Sequence, residues 1–147
     1  MKKLIWVASF TSVLVGIGFF VTQKLFSHNF HITGTIGLDP NLESRAKRPN
    51  TVLFLIAKNH AGIPVAVKRI INPQFPLKFE IDSEDLVLPG GSWTGPLHVE
   101  VLVNNHGHAG VILPGDLTGS HSTLVATGST PISITVDKVL NKPDPHS

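Results

Sequence analysis

The chain has 147 residues, room for one domain of ordinary size plus an appendage but not for two cores. With 41% apolar and 15% charged residues it is too apolar for a disordered chain, and the absence of cysteine excludes a disulfide, a zinc knuckle, a thiol nucleophile and a C-x-x-C-H haem attachment. The net charge of +2 does not make a nucleic-acid binder: the excess sits at Lys2, Lys3 and Lys24, and from Leu25 onward nine basic side chains face ten acidic ones, with only Arg45, Lys47, Arg48 and the pair Lys68, Arg69 at all clustered.

Residues 1–24 read as a membrane anchor. After two lysines an uncharged run extends from Leu4 to Val21, built on Leu4, Ile5, Trp6, Val13, Leu14, Val15, Ile17, Phe19, Phe20 and Val21. As a helix at 1.5 Å per residue it would reach ~27 Å, about the hydrocarbon thickness of a bilayer. A cleaved signal peptide has a shorter apolar stretch followed by a small-x-small site. Here Gly16 and Gly18, or a cut after Ser27, are poor candidates, so the anchor is read as uncleaved. Lys2, Lys3 and the amino terminus outweigh Lys24, which keeps the amino terminus in the cytoplasm. The expected location is therefore the bacterial cytoplasmic membrane, crossed once, with the rest of the chain in the periplasm.

A short linker, residues 25–29, leads to a body over 30–140, and a polar tail, 141–147, ends the chain. The body shows period-2 patterns broken by turn residues. "FHITGTIGLD" predicts a first strand, and Asp39-Pro40 a capped helical turn through Leu42 and Ala46. "TVLFLIAKN", Thr51–Asn59, is apolar on both faces, as a central strand would be. "VAVKRII", Val65–Ile71, is the next strand. In "FPLKFEID", Leu77, Phe79 and Ile81 alternate with Lys78, Glu80 and Asp82, which predicts one buried and one wet face. "SEDLVLPGGSWTG" is a loop with one helical turn capped by Asp82 or Ser83. "PLHVEVLVNN" is a long strand with Val99, Val101 and Val103 inward; "AGVILPG" is the following apolar run, a Gly/Ser/Thr-rich stretch spans Asp116–Thr130, and "PISITVDKV" closes the domain. About seven strands at this spacing predict an all-β fold, an antiparallel two-sheet sandwich.

No catalytic constellation is visible, and the chain is read as not an enzyme. "GSWTG" has its serine one place early for a nucleophile elbow, and it lacks the lysine and helix of a phosphate loop. Glu80, Asp82, Glu84 and Asp85 form a wet acidic stretch rather than a tuned acid/base pair. In "NNHGHAG" Asn and Gly supply a turn, and Asp116 is expected to hydrogen-bond backbone amides. The alternative is a metal site combining His106 and His108 with His60, His121 or His98; blue copper would need a thiolate that is missing. Cleavage after Ser27 would expose His28 as an amine-imidazole copper chelator, which the uncleaved anchor argues against. Trp93, with Val87 and Leu88, sits in a Gly-rich loop that either contacts a protein partner or folds back over the sandwich. No cofactor is expected.

Five segments in order, "ITGTIGLDPNL", "TVLFLIAK", "IPVAVKRI", "FPLKFEIDSEDLVLPGG" and "VEVLVNNHGHAGVILPGDLTG", resemble the carboxy-terminal periplasmic domain of CycH (CcmI), the apocytochrome c chaperone of bacterial cytochrome c maturation. The likeness covers roughly Phe30 to Val139. It implies a non-enzymatic β-sandwich whose partners are apocytochrome c, the haem-ligation machinery or membrane cytochrome subunits. In that family the domain follows two membrane spans and a tetratricopeptide-repeat region; here one apolar run leads almost directly into the sandwich, and no 34-residue helical repeat is present. An accessory subunit of a membrane respiratory or cytochrome complex is the alternative use of such a domain, and a solute- or carbohydrate-binding sandwich a further one.

Overall fold

The computed structural model describes residues 30–141. The expected anchor (1–24), the linker (25–29) and all but the first residue of the tail lie outside the described residues. Among those described, no helix is long and apolar enough to cross a membrane.

Eight strands form two sheets: β1 (His31–Leu38), β2 (Val52–Lys58), β3 (Pro64–Ile71), β4 (Leu77–Asp82), β5 (His98–Asn104), β6 (Leu117–Ser120), β7 (Ile132–Val136) and β8 (Lys138–Val139). The smaller sheet has the order β4-β1-β7 and the larger β3-β2-β5-β6-β8. The alternation read from sequence orients β4 as expected: Phe79 and Ile81 are buried, Lys78 and Glu80 exposed. Ile32 and Ile36 of β1, Leu53 and Leu55 of β2, Val99 and Val101 of β5, and Ile134 and Val136 of β7 all turn inward, at most 1% exposed, and make the core between the sheets. Burying one such side chain stabilises the fold by roughly 1.5–3 kcal/mol.

The expected helical turn forms after β1. Asp39 Oδ1 accepts from the Asn41 amide at 2.8 Å, Pro40 opens a 3-10 turn (Pro40–Leu42), and α1 (Glu43–Ala46) follows, with Leu42 and Ala46 buried. After β4 the capping box also forms: Asp82 accepts from the Glu84 amide at 2.8 Å and Asp85 Oδ2 from the Asp82 amide at 3.1 Å.

Two expectations need correction. First, the sandwich is not wholly antiparallel, because β7 pairs with β1 in parallel, Gly34 opposite Ile132 through Leu38 opposite Val136. The strand β6 runs to the end where β1 begins and residues 121–131 cross there to the small sheet, so β7 starts beside the start of β1 and runs in the same direction. Second, while the eight strands of the described residues accord with the expected number, the apolar run "AGVILPG" supplies none of them. Val111, Ile112 and Leu113 are 48%, 42% and 44% exposed. The strand is instead Leu117–Ser120, inside the stretch read as Gly/Ser/Thr-rich, and it pairs with β5 from Glu100–Ser120 to Val103–Leu117.

Gly119 explains why that weak-looking segment is a strand. A Cβ at this position would lie 2.1 Å from the Thr135 carbonyl oxygen, so β7 lies directly against β6 only because residue 119 has no side chain. Just beyond, the Asp137 amide donates to Thr118 O at 3.2 Å and the chain passes from the small sheet into the large one as β8. One edge of the sandwich is thereby closed by continuous backbone, which removes it as a site for stray strand pairing.

Candidate functional site: two loop ends and an apolar groove

The topology sorts the loops into two ends. Phe30, residues 59–63, 86–97 and 121–131 share the end where β1 begins, as shown by the bonds Gly128 N to His31 O at 2.7 Å and His121 N to Val99 O at 2.9 Å and by the Leu97–Val125 bridge. Residues 39–51, 72–76 and 105–116 share the far end.

The far end is organised by two buried polar side chains, Asn104 and Asp116, 5% and 4% exposed. Asp116 Oδ2 accepts from the Leu113 amide at 2.8 Å, the role expected for it, and lies 3.1 Å from His106 Nε2. Asn104 Oδ1 accepts from the Gly107 amide at 2.9 Å, and its Nδ2 donates to the His108 carbonyl at 3.0 Å. Gly107 at φ +77° completes the turn, as the Asn/Gly pattern predicted. His106 and His108 stack with ring centroids 5.9 Å apart. The His108 amide points to His106 Nδ1 at 3.4 Å, which matches the tautomer whose Nε2–H donates to Asp116. Leu140 N to Asp116 O and Gly115 N to Leu140 O, each 2.7 Å, tie the end of β8 to the same loop.

The histidines that a metal reading requires are not brought together. His106 and His108 lie beyond Asn104 at the far end, while His60, His98 and His121 lie at the other end of β5, about 20 Å away over seven residues of strand. His121 Nδ1 is 2.9 Å from the Ser133 carbonyl oxygen. Among the described residues no three His, Asp or Glu side chains converge.

The loop proposed for partner contact divides in two. Trp93 is half-buried, packs on the main core and donates its indole N–H to the Gly95 carbonyl at 2.7 Å, so it folds back over the sandwich. Val87 and Leu88 stand out at 51% and 75% exposed.

A feature not read from the sequence lies on the outer face of the large sheet. Val52, Phe54, Ile56 and Leu102 form a second buried cluster there, with Val67, Ala109 and Leu140 packed against it. The loop 105–116 is laid over part of this face and leaves a groove of about 470 Å³ between Ile56, Val67, Leu102, Ala109, Ile112 and Leu140. The Lys58–Glu100 ion pair, both side chains about one-third exposed, borders it. A more polar cleft of about 680 Å³ opens at the far end between Arg48, Thr51, Asn72 and Phe75. The outer groove was foreshadowed by one signal: a strand apolar on both faces, Thr51–Asn59, needs a cover on each.

Two sheets packed over an alternating apolar core define an Ig-like sandwich. The family model of the cytochrome c-type biogenesis protein H Ig-like domain matches residues 32–137, and the chain belongs to that family. An uncharacterized protein of Aquifex aeolicus (strain VF5) is similar, 29% identical over 90 residues; the matched region is 60% of this chain and 59% of that relative's length. Among solved structures, an alternative pilotin from the type II secretion system of Vibrio cholerae is similar at a TM-score of 0.45 and 14% identity, over 75% of this chain and 98% of the pilotin. A likeness at that level supports nothing about function.

Proposed function

We propose that this protein is a non-enzymatic module of cytochrome c biogenesis, tethered to the bacterial cytoplasmic membrane by Leu4–Val21 and facing the periplasm, that binds protein. Its partner is apocytochrome c or a subunit of the haem-ligation machinery. Membership in the CycH Ig-like family carries this reading. The surface best suited to the role is the outer-face groove, because an apolar floor of Ile56, Val67, Leu102 and Leu140 bordered by the exposed Ile112 accepts an apolar segment of another chain. A binding rather than a catalytic role is further supported by the far-end side chains, since His106, Asp116 and Asn104 spend their polar atoms on the loop itself.

Gentle detergent extraction of the full chain, followed by identification of what travels with it, tests the reading. Maturation subunits or apocytochrome c should co-purify, and Ile112→Glu should release them while leaving the fold intact. Recovery of assembled respiratory cytochrome subunits instead would favour the accessory-subunit role. Stoichiometric metal retained by the purified protein and lost in His106→Ala would overturn both.

A further inference from the structure

The two ends of the sandwich differ in charge more sharply than the whole chain suggests. Loops 59–63, 86–97 and 121–131, which the fold gathers at the end where Phe30 enters, contain no Asp, Glu, Lys or Arg. Four of the exposed large apolar side chains stand in those same loops: Ile63 at 60%, Val87 at 51%, Leu88 at 75% and Leu124 at 51%. The far end carries Asp39, Glu43, Arg45, Lys47, Arg48 and Asp116, of both signs; the near end, with its own turn 83–85 included, carries Glu84 and Asp85 only.

Isolated surface hydrophobics are ordinary and need no explanation. Four on three separate loops, with every formal charge excluded from those loops, are a selected surface. They do not close a groove, so they suit a broad apolar phase better than one inserted side chain. The nearest charges, Lys58, Asp82, Glu84 and Asp85, belong to strand ends and the turn after β4, and two of them are already paired: Lys58 with Glu100, and Asp85 with Lys68 at 2.9 Å.

What lies opposite this end follows from the chain. The uncharged run Leu4–Val21 is separated from Phe30 by eight residues, 22–29. Even fully extended these reach only about 29 Å. If that run sits in a bilayer, the end with the three charge-free loops is held next to the lipid surface, and the far end is turned away from it.

We propose that the end formed by loops 59–63, 86–97 and 121–131 rests on the bilayer, with Ile63, Val87, Leu88 and Leu124 entering its interfacial layer. The proposal depends on the membrane tether of the proposed function. Apolar insertion of this kind suits neutral loops with glycine, serine and threonine between the anchoring side chains, and needs no anionic lipid. It also fixes the tilt of the domain: the outer-face groove then opens sideways, accessible to a partner held in or near the same membrane.

The chain has no cysteine, so single-cysteine variants label one place each. Full-length protein carrying Leu88→Cys, Leu124→Cys, Ile112→Cys or Leu14→Cys, labelled with an environment-sensitive fluorophore, is reconstituted in phosphatidylcholine vesicles. Some vesicles contain lipids with a nitroxide quencher at shallow or mid-bilayer depth. Labels at 88 and 124 should shift to the blue and lose most of their emission to the shallow quencher, with the label at 112 unaffected. Quenching at Leu14 but not at 88 and 124 overturns the proposal and leaves the tether standing; no quenching at Leu14, 88 or 124 overturns both. A blue shift at 88 and 124 without lipid quenching reports a protein in that place and also overturns it, as does equal quenching at 112.

Discussion

The far end of this sandwich and the end where β1 begins are built on different principles. At the far end the loop after β5 is held by buried polar atoms: Asn104 and Asp116 together bind the amides of Gly107 and Leu113, the carbonyl of His108 and the ring of His106. At the other end the loops are held by the Leu97–Val125 and Ala66–Leu86 bridges, the Gly128 bond to His31, the Asn59 side chain accepting from the Ala61 and Ile63 amides, and the buried Leu86, Leu97 and Val125, while Ile63, Val87, Leu88 and Leu124 project outward. Satisfied buried polar groups rigidify the first end; the second retains uncommitted apolar surface. The contrast teaches where to look for function, because conspicuous residues such as the paired histidines belong to the scaffold, whereas the plain Val87, Leu88 and Leu124 are free to meet something else.

The largest expected effect comes from a change that should not respect this division. Gly119→Ala would force a methyl into the Thr135 carbonyl at the point where β7 crosses onto β6. Separating the sheets there should cost about 3 kcal/mol or more, readable as a lowered denaturant midpoint and as faster amide exchange at both ends. A loss confined to one end would mean that the ends fold independently of the closing edge.

Asp116→Ala should sharpen the comparison. It leaves the Leu113 amide and the His106 ring without their buried acceptor, a loss of about 2 kcal/mol. Amide exchange should accelerate across 105–116 and at Leu140 and stay unchanged across 86–97. Asp116→Asn, which keeps one acceptor oxygen, should lose less. A smaller step is Lys68→Met: the Lys68–Asp85 pair is 2.9 Å long but its side chains are 32% and 16% exposed, and Asp85 keeps its bond from the Asp82 amide. With solvent screening the expected loss is below about 1 kcal/mol.

How much of this could be read in the residues themselves depended on whether the information was local. The alternation of Leu77, Phe79 and Ile81 with Lys78, Glu80 and Asp82 placed β4 and its faces, and Asp39-Pro40 placed the helical turn, because both are decided within a few residues. The turn at His106-Gly107-His108 was legible for the same reason, and so was the hydrogen-bonding role of Asp116. The strand Leu117–Ser120 was not: Leu-Thr-Gly-Ser has one strongly apolar residue, and its glycine matters only through Thr135, sixteen positions on. The parallel pairing of β7 with β1 depends on which end the 121–131 loop returns to, which no periodicity records. Val111, Ile112 and Leu113 were visible as an apolar run, but hydrophobicity alone does not distinguish a buried segment from an exposed one. The convergence of three charge-free loops on one end was hidden most completely, being spread over three segments of sequence that only the topology assembles.

The smallest change in stability carries the most weight for the contrast between the ends. Leu88→Asp combined with Leu124→Asp places two charges on loops that have none, at side chains already 75% and 51% exposed. Little apolar burial is lost, so the denaturant midpoint in detergent should move by no more than the equivalent of about 0.5 kcal/mol. If those positions face the lipid interface, a fluorophore on residue 63 of the same chain in vesicles should move from a lipid-shielded to a water-exposed signal, because two carboxylates resist entry into the interfacial layer. The equivalent change at the far end, Arg45→Asp with Arg48→Asp, should leave that signal where it was. If the two pairs moved it alike, the ends would not differ in what they face, and the charge asymmetry would be a property of the loops without a counterpart in the membrane.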